Sequence, residues 1–140
     1  MNGIETLVGT FEGEGVWHDS TGKSMTYAVH QTNRILTDGF GIAFKHDFAD
    51  GSVVDAGFEM TWVTPHIFRV FVAGAPIGHG YVLDAYCHYH LETDKAFVEA
   101  SYRFSGETME VFGSSTKNAE GHYIAWKEVL RRARPGRDTL

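Results

Sequence analysis

The sequence carries a single cysteine, Cys87, so no disulfide can close within the chain. Its opening, MNGIETLVGTF, lacks both the basic segment and the apolar run of a secretory leader. These two absences predict a protein made and kept in a reducing cytoplasm. No apolar run approaches the roughly 18 residues of a membrane-spanning helix, and an outer-membrane barrel would need an export signal, so no membrane partner is expected. The net charge is −6, and basic residues are scattered apart from Arg131, Arg132, Arg134 and Arg137. Nucleic acid, which needs a clustered cationic face, is not an expected partner. The glycine-rich run GAPIGHG (74–80) lacks the lysine and the following helix of a phosphate-binding loop. No Ser-His-Asp or Cys-His arrangement follows from spacing, and Cys87 reads as an inert packed thiol.

What the sequence does have is alternation. Its 140 residues suffice for one domain with a real core, and its 16 glycines and 19 Phe, Tyr and Trp residues suit aromatic strands joined by many turns. Residues 8–18 set Phe11, Gly13, Gly15 and Trp17 on one face. Residues 24–36 group Met25, Tyr27, Val29, Gln31, Asn33 and Ile35, and residues 40–48 group Phe40, Ile42, Phe44, His46 and Phe48. Strands are expected likewise over 52–63, 67–73, 81–91, 96–104, 108–115 and 122–132, nine in all. The segment 81–91 reads as one long strand, with Tyr81, Leu83, Ala85, Cys87, Tyr89 and Leu91 on an oily face and His88 and His90 on the other. Residues 67–73 are apolar on both faces except at Arg69, which predicts a covered surface and a homodimer.

With no long helix and short connections, the expected fold is all-β, a single antiparallel up-and-down β-barrel of eight to ten strands. Closure removes the free edges that such a meander would otherwise expose. The barrel should occupy residues 1–132, with 133–140 a flexible basic tail. Gly9-Thr10-Phe11 followed by Gly13 and Gly15, the long meander, and the Ala125-Trp126 run ending in Arg131-Arg132 resemble the lipocalin-like (calycin) superfamily. Uncharacterised bacterial families, nitrobindins and fatty-acid-binding proteins belong to it. Where its members carry Gly-x-Trp near the start, this chain has Phe11 at the tryptophan position. The resemblance implies a barrel cavity for a hydrophobic small molecule. Small-barrel enzymes of this kind that work without a cofactor imply that catalysis in such a cavity is open to it.

Three chemistries compete for the candidate residues. His88-x-His90 puts two imidazoles on one strand face, a chelating spacing if Asp84 or Glu99 adds a ligand, but a surface role is the reading favoured over metal. The resemblance to nitrobindins makes His122 a haem candidate, although the surrounding motif is not reproduced. The favoured chemistry is cofactor-free acid–base catalysis of lyase or isomerase type. Tyr27, Gln31, Asn33, His46, Tyr102, His122 and Glu128 all fall on faces expected to point inward, where each must find a hydrogen bond. His46 is the expected base or acid, Tyr27 or Tyr102 the proton donor, and Gln31 or Asn33 the substrate anchor. His88 and His90 take over beside Tyr86 if the 81–91 strand presents its other face. Phe44, Phe58, Trp62, His122 and Trp126 complete the expected wall, which suits a flat aromatic or hydrophobic molecule. A non-catalytic carrier of a lipid-like ligand is the alternative.

Overall fold

The alternation resolves into ten antiparallel strands in a computed structural model, which describes residues 3–116 and 121–133. They are β1 (Gly9–Asp19), β2 (Ser24–Leu36), β3 (Gly39–Phe48), β4 (Val53–Trp62), β5 (Ile67–Val72), β6 (Ala75–Leu83), β7 (Tyr86–Glu92), β8 (Phe97–Ser105), β9 (Thr108–Ser115) and β10 (Ile124–Arg132). Each pairs with its neighbour in the chain, and β10 returns to pair with β1 over Phe11 to Asp19, so the sheet closes as an up-and-down barrel. Among the described residues helical structure is confined to a 3-10 turn at Ile4–Thr6, and no helix is long and apolar enough to cross a membrane. The tail expected over 133–140 lies outside the described residues from 134 onward, as do residues 117–120 of an expected loop.

The stretch expected as one strand over 81–91 is two. Leu83 pairs with Tyr86, and Asp84 and Ala85 turn the chain between β6 and β7. Asp84 takes the left-handed conformation at φ 54°, which aspartate tolerates better than most residues. The reversal resets the faces. Val82 and Cys87 pair inside, both buried, while Tyr81 and His88 pair outside with ring centroids 5.5 Å apart. Tyr81 and Leu83 therefore do not share a face with Cys87, contrary to the single-strand expectation. The run 74–80 is likewise mostly strand. Only Ala73 and Gly74 turn the chain ahead of β6, at φ 49° and 81°, the two left-handed residues of a tight hairpin. In β5, Phe68 and Val70 are buried while Ile67 and Val72 are exposed, so within one chain this strand is covered on its inner face.

One end of the barrel is packed solid. Phe11, Phe40, Phe68, Met60, Met109 and Leu130 are fully buried there, and Leu7 plugs the end from the 3-10 turn. Arg132 ties the plug to the closing strand. Its guanidinium stacks 4.9 Å from the Phe11 ring centroid and 5.0 Å from that of Phe104, and its nitrogens donate to the carbonyls of Thr6 (2.9 Å) and Val8 (2.5 Å). Charge-assisted hydrogen bonds and cation–π stacking together make Arg132→Ala a loss of about 2 to 3 kcal/mol in urea denaturation. Arg132→Lys should recover less than half of it, because an ammonium cannot match the planar fork. Full recovery by lysine would show that charge alone is what matters.

Candidate functional site

The opposite end is hollow. A cavity of about 690 Å³ opens between the β1–β2 and β3–β4 turns and runs inward to Gln31, Tyr89 and Tyr102. That volume falls in the range of small-molecule sites. Phe44, Phe48, Phe58, Trp17 and Trp126 wall it, with Met25, Val54, Val98, Val111 and Ile124. Its rim carries Asp19, Lys23, Asp50 and His122.

The polar centre of the cavity is Glu128 on β10, only 3 % exposed. Tyr27 Oη donates to Glu128 Oε2 at 2.8 Å, although the two residues are 101 positions apart. Gly15 makes that reach possible. It is register partner to Glu128 on one side and Tyr27 on the other, and the Tyr27 ring lies flat across it. A Cβ at position 15 would sit 2.5 Å from Tyr27 Cζ and 2.7 Å from its Oη. Gly113 similarly leaves room for the Trp126 indole, whose Cε2 would meet a Cβ at 2.2 Å.

His46 lies beside this pair, its ring 4.6 Å from Phe44 and 4.7 Å from Tyr27 between centroids. Its Nε2 is 3.6 Å from Glu128 Oε2, beyond hydrogen-bond reach. Burial disfavours the charged form of each group. It raises the Glu128 carboxyl from an ordinary 4.5 to about 7, partly offset by the Tyr27 hydrogen bond, and lowers the His46 imidazole from 6.5 to about 4. Burial and then the Glu128 charge push Tyr27 far above the ordinary tyrosine range. Deeper in, the Tyr89 and Tyr102 hydroxyls share a hydrogen bond of 2.8 Å, and burial raises both.

The structure brings together Tyr27, His46, Gln31, Phe44, Phe58, Tyr102, His122 and Trp126 around one cavity. Asn33 is inward but lies beneath the floor, where it accepts from Gln31 Nε2 at 2.9 Å and donates to the Leu7 carbonyl at 2.8 Å. Trp62 packs on Phe40 and Phe68 at the solid end, away from the cavity. Cys87, Tyr89 and Leu91 are the inward residues of β7, so His88 and His90 stand on the outer face. His88 Nδ1 meets Ser101 Oγ at 2.9 Å there, and His90 pairs across the strands with His79. His122 precedes β10 rather than beginning it. Among the described residues no group of three His, Cys, Asp or Glu side chains is arranged to hold a metal ion. Sequence reasoning placed Glu128 inward without giving it a role, and it missed Gly15 as the seat of Tyr27. The glycine at alternate positions of β1 was the available signal.

No family model matches the chain, and no curated protein matches it. Solved structures do. The S-type phycobiliprotein lyase CpeS of Guillardia theta superposes with a TM-score of 0.76 at 10 % identity, over 94 % of this chain and 90 % of that one. Rv2717c of M. tuberculosis gives 0.71 at 14 % identity, over 94 % and 95 %. A redesigned β-barrel, mFAP1, bound to DFHBI, gives 0.51 at 10 % identity, over 94 % and 100 %. The fold is thus that of the lipocalin-like calycin barrels.

Two outcomes follow from this geometry. Between about pH 4.5 and 6.5 the unfolded chain holds one proton of this pair on His46, and the folded chain holds one on Glu128, so the pair leaves native stability nearly flat. His46→Gln exposes the raised carboxyl, whose contribution is full below pH 4.5 and lost as pH rises through 7. Glu128→Gln exposes the lowered imidazole, whose contribution is full above pH 6.5 and lost as pH falls towards 4. Each change is on the order of 3 kcal/mol, at about 1.36 kcal/mol per pH unit. Urea midpoints should slope in opposite directions for the two variants, and parallel slopes would refute the assignment. Gly15→Ala should break the Tyr27 bond and raise Glu128 further, read as an upward move of the carboxyl titration followed by infrared spectroscopy.

Proposed function

We propose that this barrel takes up one flat, largely apolar small molecule and transfers a proton on it, as a cofactor-independent isomerase or lyase. The observation that carries the reading is Glu128, a carboxyl poised near neutral pH, held by Tyr27 at the wall of an aromatic cavity. Near pH 7 such a group is present in both its acid and base forms, the condition for efficient general acid–base work. Its partner His46 stays neutral there and serves as a polar neighbour rather than the primary base. Tyr89 and Tyr102 offer a hydroxyl donor deeper in the cavity for a developing oxyanion. Two structural neighbours lend support from outside the chain: one is named a phycobiliprotein lyase, and another holds DFHBI in a barrel of the same shape.

A non-catalytic carrier is the second reading, favoured by the mutual satisfaction of the polar wall groups: Tyr27 with Glu128, Tyr89 with Tyr102, Gln31 with Asn33. A carrier of fatty acids is the weakest form of it. Lys23 at the rim is the one lysine or arginine among the described lining residues, which leaves no cation in the interior to clamp a carboxylate.

Mass spectrometry of the molecule released on denaturing the purified protein identifies the compound to test. Returned to wild-type protein in deuterated buffer, that compound should take up solvent deuterium or convert to product. Glu128→Gln should slow the reaction by roughly 10²-fold or more. Stoichiometric retention of an unchanged, undeuterated compound would establish the carrier instead.

A further inference from the structure

We infer that the cavity selects against anionic ligands and takes a neutral or cationic aromatic molecule, such as an amine-bearing ring, that donates a hydrogen bond or positive charge to Glu128. This inference rests on the cavity-binding reading above and names the class of molecule bound.

Three independent features agree. First, among the described residues the one acidic or basic side chain lining the interior below the rim, His46 apart, is the carboxyl of Glu128. Glu128 Oε2 receives one hydrogen bond, from Tyr27, and its register neighbours Gly15 on β1 and Val111 on β9 bring no charge. The titratable groups facing it are Tyr27 on β2, His46 on β3, and the Tyr89 and Tyr102 pair, none of them a cation near pH 7. A ligand carboxylate bound here would lie beside the Glu128 carboxylate in a half-enclosed cavity with no counter-charge among the described interior residues, an arrangement that desolvation makes costly. A ligand ammonium or N–H would supply the missing partner.

Second, two carboxylates at the described rim are held in their ionised form. The Thr21 hydroxyl and the backbone N–H groups of Thr21 and Lys23 bind Asp19 Oδ1, and the Ser52 hydroxyl and N–H bind Asp50 Oδ1. These bonds keep both carboxyls below their usual range, led in each case by the hydroxyl. Among the described rim residues these two fixed negative charges stand with Lys23 and His122, and the Lys23 ammonium lies 5.9 Å from the Trp17 ring centroid. Third, Trp17, Phe44, Phe48, Phe58 and Trp126 line the cavity, and aromatic faces attract cations and repel anions.

Three probes with one ring system test this at pH 8: naphthylmethylamine, naphthalenemethanol and naphthoate, titrated into the full chain by calorimetry. The amine should bind at least about tenfold more tightly than naphthoate, with the alcohol between them. In Glu128→Gln the amine-to-naphthoate ratio should fall to about threefold or less. In Asp19→Asn with Asp50→Asn, which retains the turn-forming oxygens, the amine should associate more slowly with a weaker salt dependence. Naphthoate binding as tightly as the amine to wild-type protein would overturn the inference and leave the cavity-binding reading standing. The absence of binding by any of the three would overturn both. Circular dichroism identifies any variant that fails to fold, and the wild-type ratio decides the matter on its own.

Discussion

A sheet of ten strands closed on itself encloses more volume than its own inward side chains fill, and the arrangement of this molecule follows from how that surplus is distributed. At one end phenylalanine, methionine and leucine meet at the barrel axis and a plug residue, Leu7, completes the packing. At the other end glycines replace bulk at alternate positions, and large rings lie against the wall instead of across the axis. Among the described residues the surplus is collected into a cavity that opens at that end. Stability and ligand space are thereby assigned to opposite ends of the same strands.

Within the hollow end the dominant fact is the cost of desolvating ionisable groups. Glu128 and His46 are near neighbours, yet the 3.6 Å gap makes them neither a hydrogen-bonded pair nor a tight ion pair. Each is kept neutral by burial at a pH where it would be charged in water. Folding thus moves a proton from imidazole to carboxyl with little net exchange with solvent. The protein gains a neutral acid inside an aromatic chamber while its stability stays nearly insensitive to mild acidification.

Most of the architecture was legible in the sequence, because half-buried strands write their two faces into alternate positions. Phe11 and Gly15, Tyr27 and Gln31, Phe44 and His46 all face the way their spacing says. The turn at Asp84-Ala85 was not legible. It lacks glycine, and the alternation on either side continues through it, so that the reversal and the altered face of Tyr81 and Leu83 leave no mark. The glycines of 74–80 misled in the opposite sense. Gly80 sits in β6 because the Phe68 ring occupies the space a side chain would need. As for the site, single positions could be assigned to the interior, but which of them meet depends on which strands close the barrel. Glu128 and Tyr27 belong to strands that become near neighbours only through β1.

The pairing of β10 with β1 also sets an order in time. While the chain is being synthesised, nine strands form at most an open sheet with two free edges, the state most exposed to wrong pairing. Arg132 cannot grip the plug, nor can Phe11 be covered, until β10 has emerged. Glu128 arrives on that same strand. The buried carboxyl of the cavity is therefore delivered by the step that seals the barrel, and a partly made chain has neither the closed cavity nor the acidic group at its wall.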